Sequence, residues 1–241
     1  MENDTVYQWV GKSYIGDFTV PKKKLIHFKE NLTFPFLFQF RYHELQNEFP
    51  FKGRWNEKFF SNQHPIILEL GCGKGEYTVG LAKINPEKNF IGIDLKGARL
   101  WRGCQSVNDD HLTNVAFIRS MVDHIEYYFS PEEVSEIWIT FPDPQPGKER
   151  KRLTSVRFLD KYQRILKPGG IIHLKTDDFE FYRYTLRVAL EQGHKILYST
   201  DDLYHSEISA DTMSIQTFYE TRWLSQGKKI CYLRFSLQNN K

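Results

Sequence analysis

Cysteine is scarce in the sequence: Cys72, Cys104 and Cys231 are the three among 241 residues, and they lie far apart along the chain. An odd number of widely spaced cysteines argues against a disulfide framework, and the spacing is not that of a structural zinc site. The sequence therefore predicts a protein of the reducing cytoplasm that holds no metal.

Long apolar runs are also missing. No stretch approaches the length of a membrane-spanning helix, and the amino terminus lacks the apolar core of a signal peptide. Hydrophobic residues make up 40% of the chain and charged residues 26%, which is typical of a globular protein that can bury a sizeable core. We therefore expect a soluble protein with no membrane partner.

The chain has no large excess of one charge, since its 33 basic and 30 acidic residues leave a net charge of +3. The protein as a whole is not a polycation, so any binding of nucleic acid must come from local basic patches. Two basic clusters are present, at residues 22–24 and 148–152. Each is either a solvated surface or a contact for a phosphate backbone.

Glycine, in contrast, is concentrated at one informative place. The apolar run 66–70 predicts a buried strand, Gly71, Gly73 and Gly75 follow it, and residues 76–84 carry apolar side chains at helical spacing. This succession of strand, glycine turn and helix is typical of the first unit of a doubly wound sheet. The glycines let the backbone approach a ligand closely, and the helix start offers free N–H groups.

The glycine pattern differs from the nicotinamide-binding pattern because Glu76 stands where that pattern has its third glycine. An acidic residue, Glu69, lies inside the strand. A second one, Asp94, ends the next apolar run, roughly 20 residues past the glycines. Dinucleotide-binding sites have a carboxylate at that position, and it binds the ribose hydroxyls. The pattern resembles the S-adenosylmethionine (AdoMet) loop of class I methyltransferases. The alternatives are a glycine turn without a ligand and an Asp94 that only caps a helix.

Strand and helix patterns alternate along the rest of the chain. We predict an α/β fold with a doubly wound, mostly parallel, seven-stranded sheet, in which residues 1–63 form an extension that packs on a domain of residues 64–241. The predicted strands are 66–70, 90–94, 115–119, 136–140, 171–175, 195–200 and 229–237. The predicted helices are 76–84, 98–107, 122–129, 154–166, 179–193 and a short one ending at residue 226.

Four predicted strands carry an acidic residue at or just beyond the carboxyl end: Glu69, Asp94, Asp143 and Asp177. Ligands of open α/β sheets bind outside the carboxyl ends of the strands. Packing alone gives no reason to gather four carboxylates at one edge, where they repel one another, so the pattern predicts a binding site. Asp143 lies between two prolines in the turn 141–144, which restricts the backbone and holds that carboxylate in place.

Several motifs occur together in a specific order and spacing: Glu-Leu-Gly-Cys-Gly-Lys-Gly at 69–75, Phe-Pro-Asp-Pro at 141–144, Lys-Thr-Asp at 175–177 and Thr-Phe-Tyr-Glu at 217–220. In this combination the chain resembles the bacterial tRNA (guanine-N7-)-methyltransferase family. The resemblance implies a Rossmann-like class I methyltransferase. It also implies that the protein transfers a methyl group from AdoMet to N7 of a guanosine in the variable loop of tRNA.

The resemblance assigns expected roles to individual residues, with Asp143 as the catalytic residue. The departures from the family pattern are Met121, where a carboxylate is usual, Gln145, where an aromatic residue is usual, and Gly147, where a lysine is usual. The implied cofactor-binding residues are Glu69, Gly71, Gly73, Asp94, Met121 and Asp143. The implied substrate-binding residues are Lys148, Asp177, Thr217, Phe218, Tyr219 and Glu220, with Arg150, Lys151 and Arg152 on the tRNA backbone.

Two other functions stay open on the residues alone. One is a class I methyltransferase that acts on another RNA base or on a small molecule. The other is a non-catalytic RNA-binding module that kept the sheet. Both a monomer and a homodimer are compatible with the sequence.

Overall fold

The computed structural model describes residues 22–40, 44, 49–208 and 215–238, and these contain an eight-stranded sheet with helices packed on it. The predicted α/β fold is confirmed. The strands are β1 (Leu37–Gln39), β2 (Ile66–Leu70), β3 (Asn89–Asp94), β4 (Val115–Arg119), β5 (Val134–Thr140), β6 (Leu166–Thr176), β7 (Lys195–Thr200) and β8 (Cys231–Ser236).

The helices alternate with the strands as the apolar spacing predicts. Short 3₁₀ segments lie at Val122–His124, Glu149–Lys151 and Leu203–His205, and a π-helical turn lies at Asn56–Phe60. The α-helices are α1 (Lys22–Glu30), α2 (Glu76–Ile84), α3 (Gly97–Asp109), α4 (Ile125–Tyr128), α5 (Val156–Ile165), α6 (Phe179–Glu191) and α7 (Phe218–Ser225). None of the described helices is long and apolar enough to cross a membrane.

The strand order places a crevice at the middle of the sheet. The order is β1-β4-β3-β2-β5-β6-β8-β7, in which β8 runs antiparallel to β6 and β7 and the other neighbours are parallel. The chain moves outward from β2 through β3 to β4 and then returns to the other side of β2 as β5. Ligands of such sheets bind where the direction of winding reverses, outside the carboxyl ends of the strands.

The sheet has one strand more than the seven predicted. β1 pairs in parallel with β4, with Leu37 opposite Phe117 and Gln39 opposite Arg119. Three residues are too few to produce a recognisable alternation within the aromatic run of residues 34–42, so the sequence pattern did not reveal this strand. Residues 1–21 of the predicted extension lie outside the described residues.

Aromatic side chains account for the packing of the segment before β2. Trp55 is fully buried, its ring lies 5.3 Å from that of Phe38 and 5.4 Å from that of Phe49, and its indole N–H donates to the Tyr128 carbonyl at 2.9 Å. The Glu133 carboxylate accepts from two backbone N–H groups of this segment, at 2.8 and 3.2 Å. The abundant aromatic residues thus serve largely as core.

Several predicted boundaries shift. The predicted helix 122–129 is a 3₁₀ turn followed by the four residues of α4. β5 and β6 start earlier than predicted because Val134 pairs with Leu166. The regular pairing begins only at Glu136 and Ile171, after an irregularity that includes Gly169 with its φ of 75°. The predicted end of helix α5 before this Lys-Pro-Gly-Gly sequence is confirmed, since α5 ends at Ile165.

Candidate active site

The glycine turn between β2 and α2 forms the centre of the site. Gly71, Gly73 and Gly75 have φ angles of 73°, 58° and 69°, in the left-handed region that residues with a Cβ rarely adopt. The N–H groups of Gly71 and Cys72 both donate to the Ile93 carbonyl, at 2.8 and 3.1 Å. The end of β3 therefore holds the turn tightly against the sheet.

A buried ring locks this turn to its neighbours. Phe117 on β4 has no exposed surface, and glycines from the turn, from β3 and from α3 surround its ring. A Cβ added at Gly75, Gly92 or Gly103 would lie 2.6 to 2.8 Å from an atom of that ring. The three positions therefore need glycine for space, a requirement that the motif at 69–75 does not reveal for Gly92 and Gly103.

Asp94 at the end of β3 holds the glycine turn through a backbone N–H group. One carboxylate oxygen accepts from the Gly73 N–H at 2.9 Å, and the other accepts from the Lys96 N–H at 2.7 Å. Each carboxylate oxygen can accept more than one hydrogen bond, so Asp94 retains acceptor capacity toward a ligand.

Beside Asp94 lies an open cleft of about 590 Å³. A smaller cavity of about 80 Å³ lies under the glycine turn and shares Gly71, Arg99 and Phe141 with the cleft. The structure brings Asp94, Met121, Asp143 and Lys151 to the cleft, and Glu69, Gly73, Thr217 and Tyr219 to the cavity. The sequence reasoning missed Arg99, which belongs to no motif, and it assigned no role to Phe141, although Phe141 begins the motif at 141–144.

The cleft also contains a carboxylate that the sequence analysis did not select. Asp123 follows Met121 by two residues, lines the cleft and forms an ion pair with Arg157 of α5. Met121 itself is 45% exposed, and its carbonyl accepts from the His124 N–H at 3.0 Å. The wall near Met121 is thus an apolar side chain beside an ion-paired carboxylate.

Glu69 lies beneath the glycine turn and is 3% exposed. Its carboxylate accepts from the Thr140 hydroxyl at 2.6 Å, from the Thr78 N–H at 2.8 Å and from the Thr78 hydroxyl. Burial raises the pKa of Glu69 to about 7, although these three hydrogen bonds act to lower it. Glu69 is therefore close to the boundary between its neutral and charged forms at neutral pH.

The turn after β5 holds Asp143 in a strained loop. Phe141 and Gln145, which are not glycines, have φ angles of 48° and 47°. Such residues in the left-handed region cost of order 1–3 kcal/mol each and cluster at functional sites. Asp143 is exposed and accepts from the Gln145 N–H at 3.1 Å, while the Phe141 N–H donates to the Lys175 carbonyl at 2.8 Å.

The basic loop after this turn divides into two parts. Lys148, Arg150 and Lys151 are exposed, as a phosphate-binding surface requires. The side chain of Arg152 is only 11% exposed, its Nε donates to the Pro144 carbonyl at 2.9 Å, and its guanidinium lies 4.3 Å from the centre of the Tyr184 ring. Arg152 therefore braces the Asp143 turn from inside, unlike its three neighbours.

The motif Thr217-Phe218-Tyr219-Glu220 begins helix α7 and also divides into two parts. Thr217 and Glu220 are buried and form a capping box, in which each side chain accepts from the other residue's N–H, at 3.2 and 3.4 Å. Phe218 is 56% exposed and Tyr219 is 41% exposed. The aromatic pair is thus exposed at the surface, whereas Thr217 reaches only the lining of the small cavity.

Glu220 is paired inside the protein. Its Oε1 lies 2.7 Å from Nζ of Lys175 and accepts from the Tyr204 hydroxyl at 2.8 Å, and neither Lys175 nor Glu220 has any exposed surface. The structure thus does not bring the Glu220 carboxylate to the cleft. Asp177, which follows β6, is partly exposed and pairs with Lys228 at 3.1 Å.

No group of His, Cys, Asp and Glu side chains within the described ranges is arranged to hold a metal ion.

Known proteins that are similar to this chain are methyltransferases. A family model described as "Putative methyltransferase" matches residues 63–233. In the solved structures, the 16S rRNA methyltransferase KamB is similar, with a TM-score of 0.61 at 14% identity over 78% of this chain and 94% of that chain. At that identity the likeness concerns the fold alone.

Relatives of known name match at much higher identity. The tRNA (guanine-N(7)-)-methyltransferase of Christiangramia forsetii is 53% identical, over 90% of this chain and 99% of its own length. The protein of the same name from Bacteroides thetaiotaomicron is 46% identical, over 90% of this chain and 86% of its own length. Because both matches span nearly the whole chain, the resemblance seen in the motifs is confirmed, and this protein belongs to the tRNA (guanine-N(7)-)-methyltransferase family.

Proposed function

We propose that the protein transfers the methyl group of AdoMet to N7 of a guanosine in the variable loop of tRNA, in the cytoplasm. The observation that carries this proposal is the convergence of the glycine turn, Asp94 and Asp143 on one cleft at the winding reversal of the sheet, in a chain of this family. The geometry supports a cofactor and a base that meet beside Asp143.

The cleft fits AdoMet in size and charge. Its volume of about 590 Å³ lies within the usual range of about 300–1,000 Å³ for small-molecule sites. Above Gly73 a Cβ would meet nothing within 4 Å, which leaves room for a ligand against the turn. AdoMet, when bound, supplies a methyl group on a positively charged sulfur, and the carboxylates of this site complement that charge.

The proposed cofactor contacts follow from these positions. Asp94 binds the ribose hydroxyls, the backbone at Gly71 and Gly73 lies against the cofactor, and Glu69 holds the ammonium group from the small cavity. Met121 provides an apolar contact to the adenine in place of the carboxylate that is usual in the family.

Asp143 carries the proposed chemistry. Guanine N7 has a lone pair and no proton, so its attack needs no general base. The N7–methyl bond forms as the sulfur–methyl bond breaks, which leaves a neutral sulfide and a guanine that becomes cationic. The charge of Asp143, held in place before the substrate binds, stabilises that cation, and the alignment of the reacting atoms supplies most of the remaining acceleration.

The proposed tRNA contacts come from two segments, the basic loop after Asp143 and the start of α7. Lys148, Arg150 and Lys151 bind phosphates, which fix the register of the tRNA but not the identity of the base. The exposed rings of Phe218 and Tyr219 stack on the unstacked guanine, as aromatic side chains do in sequence-specific RNA recognition.

Mass spectrometry of nucleosides tests the proposal. After incubation of tRNA with the protein and methyl-labelled AdoMet, we expect label in 7-methylguanosine from the variable loop. Label in another base would identify a different RNA methyltransferase. AdoMet binding without any labelled RNA would favour a small-molecule substrate, and no AdoMet binding would favour a non-catalytic RNA-binding module.

The basic loop leads to a prediction about salt. Replacing Arg150 and Lys151 together by Gln should weaken tRNA binding and reduce the slope of log affinity against log salt by about 0.7–0.9 for each lost phosphate contact. Arg152→Gln is the matched control, since its side chain is internal and the slope should stay unchanged. Filter binding at several salt concentrations measures the slopes, and equal slopes for wild type and the double variant would assign the two residues to a solvated surface.

The pKa of Glu69 leads to a prediction about stability. A carboxyl whose pKa rises from 4.5 in the unfolded chain to about 7 in the folded protein binds more protons when folded, so the stability that it contributes is lost as the pH rises through this window. Without cofactor, wild type should lose roughly 1 kcal/mol per pH unit between pH 5 and 7 relative to Glu69→Gln. Urea unfolding of both proteins at each pH measures the difference, and parallel curves would contradict the raised pKa.

A further inference from the structure

Lys175 and Glu220 are, among the described residues, the two charged side chains with no exposed surface at all. A buried ion pair is weak support for stability, because removing two charges from water costs about as much as their attraction returns. Such pairs can instead fix one arrangement of the elements that carry them. The question is therefore what this pair holds in place.

Lys175 connects two segments of the proposed site. Its backbone carbonyl accepts from the N–H of Phe141, the strained residue that begins the Asp143 turn, at 2.8 Å. Its ammonium lies 2.7 Å from Glu220, at the start of α7. The ammonium also lies 5.0 Å from the centre of the Tyr77 ring, on the helix that follows the glycine turn.

Glu220 in turn fixes the start of α7. It completes the capping box with Thr217. The N–H of Phe218, the residue after Thr217, donates to the Glu76 carboxylate on α2 at 3.1 Å. The ring of Phe218 lies 4.5 Å from Nζ of Lys74 in the glycine turn, and Tyr219 lines the small cavity with Glu69. The buried pair thus sets where two exposed rings stand relative to the turn.

We propose that Lys175 is a positioning residue for methyl transfer, which holds Glu220 and through it the aromatic pair Phe218 and Tyr219 against the glycine turn. On this proposal Glu220 influences the base through the position of α7 and does not touch it. The inference rests on the proposed function, because it names how the guanine side of that site is built.

A double-mutant cycle tests the proposal, with Lys175→Met, Glu220→Gln and the double variant. Gln at position 220 preserves the capping box and removes the charge. Titration with AdoMet gives the concentration of folded protein, and turnover is expressed per folded molecule. We expect each single variant to lower kcat by about 10- to 100-fold, the scale of a small misplacement of reacting groups, with little change in the Kd for AdoMet or tRNA.

The cycle separates the possible roles of the pair. If both residues act through the pair, the double variant should be at least as active as Glu220→Gln but well below wild type. This comparison holds even if Lys175→Met alone does not fold because it leaves a buried charge unpaired. A further fall of tenfold or more in the double variant would show independent roles and overturn the proposal. Unchanged kcat in Glu220→Gln, or wild-type turnover in the double variant, would reduce the pair to a stabilising contact and also overturn it.

Lys88→Met serves as the matched control. Lys88 forms a partly buried ion pair with Glu136 at 3.3 Å, near the start of β5, and we expect its kcat to equal that of wild type. Wild-type protein that forms no 7-methylguanosine in tRNA would contradict the proposed function itself. Active wild type with additive or absent effects in the cycle would contradict only the role of Lys175.

Discussion

Asp143→Asn should lower the turnover of tRNA by about 100-fold or more, the size of effect seen when one preorganised electrostatic group is removed. The amide keeps the shape of the side chain and an oxygen for the Gln145 N–H, but it removes the charge that faces a guanine as it becomes cationic. The affinity for tRNA should change much less, because phosphate contacts dominate it. Single-turnover kinetics with saturating AdoMet measure the methyl-transfer step directly.

The matched control is Asp160→Asn, which removes an equal charge from an exposed position on α5. Its rate should equal that of wild type, since surface charges far from a reaction are screened by salt. If Asp143→Asn is folded and transfers the methyl group at nearly the wild-type rate, the position of this side chain matters and its charge does not.

The second large effect concerns the packing of Gly75, Gly92 and Gly103 around the Phe117 ring. Gly75→Ala should destabilise the protein by roughly 2–5 kcal/mol, the sum of a left-handed backbone and an overpacked core. The added Cβ would lie 2.6 Å from the Phe117 ring, which is fully buried and also lies against Gly92 and Gly103. Urea unfolding of the cofactor-free protein measures the loss.

Gly73→Ala separates the two causes. Gly73 has a similar φ of 58°, but a Cβ there would meet nothing within 4 Å, so only the backbone cost of about 1–2 kcal/mol should remain. In a Phe117→Leu background, which lacks the ring atoms closest to Gly75, the cost of Gly75→Ala should fall. Equal losses for the two alanine variants would show that space around the ring is not limiting.

The sequence predicts the parts of this fold that depend on local pattern. The run 66–70, the glycines after it and the helix from Glu76 each follow from rules that involve neighbours in the chain, and the structure has them at the predicted residues. The edge strand β1 and the glycine packing around the Phe117 ring depend on segments that are distant in sequence. No periodicity within one segment can reveal which strand or ring will lie against it.

The charged residues show the same limit at the site. In a sequence, Arg152 looks like Arg150 and Lys151, and Glu220 looks like any acidic residue of a motif. The tertiary structure separates them, because Tyr184 and the Pro144 carbonyl surround Arg152. Burial and partner, which decide whether a charge is available to a ligand, are properties of the folded chain.

The short strand β1 also covers a sheet edge that could otherwise pair with a strand of another chain. β4 is an apolar strand with four fully buried residues, and without a partner on its outer side it would present unpaired N–H and C=O groups to other chains. The residues Leu37–Gln39 cover that edge, and at three residues β1 is itself too short to template further pairing. Without Leu37–Gln39, the outer edge of β4 would be unpaired and open to pairing with a strand of another chain.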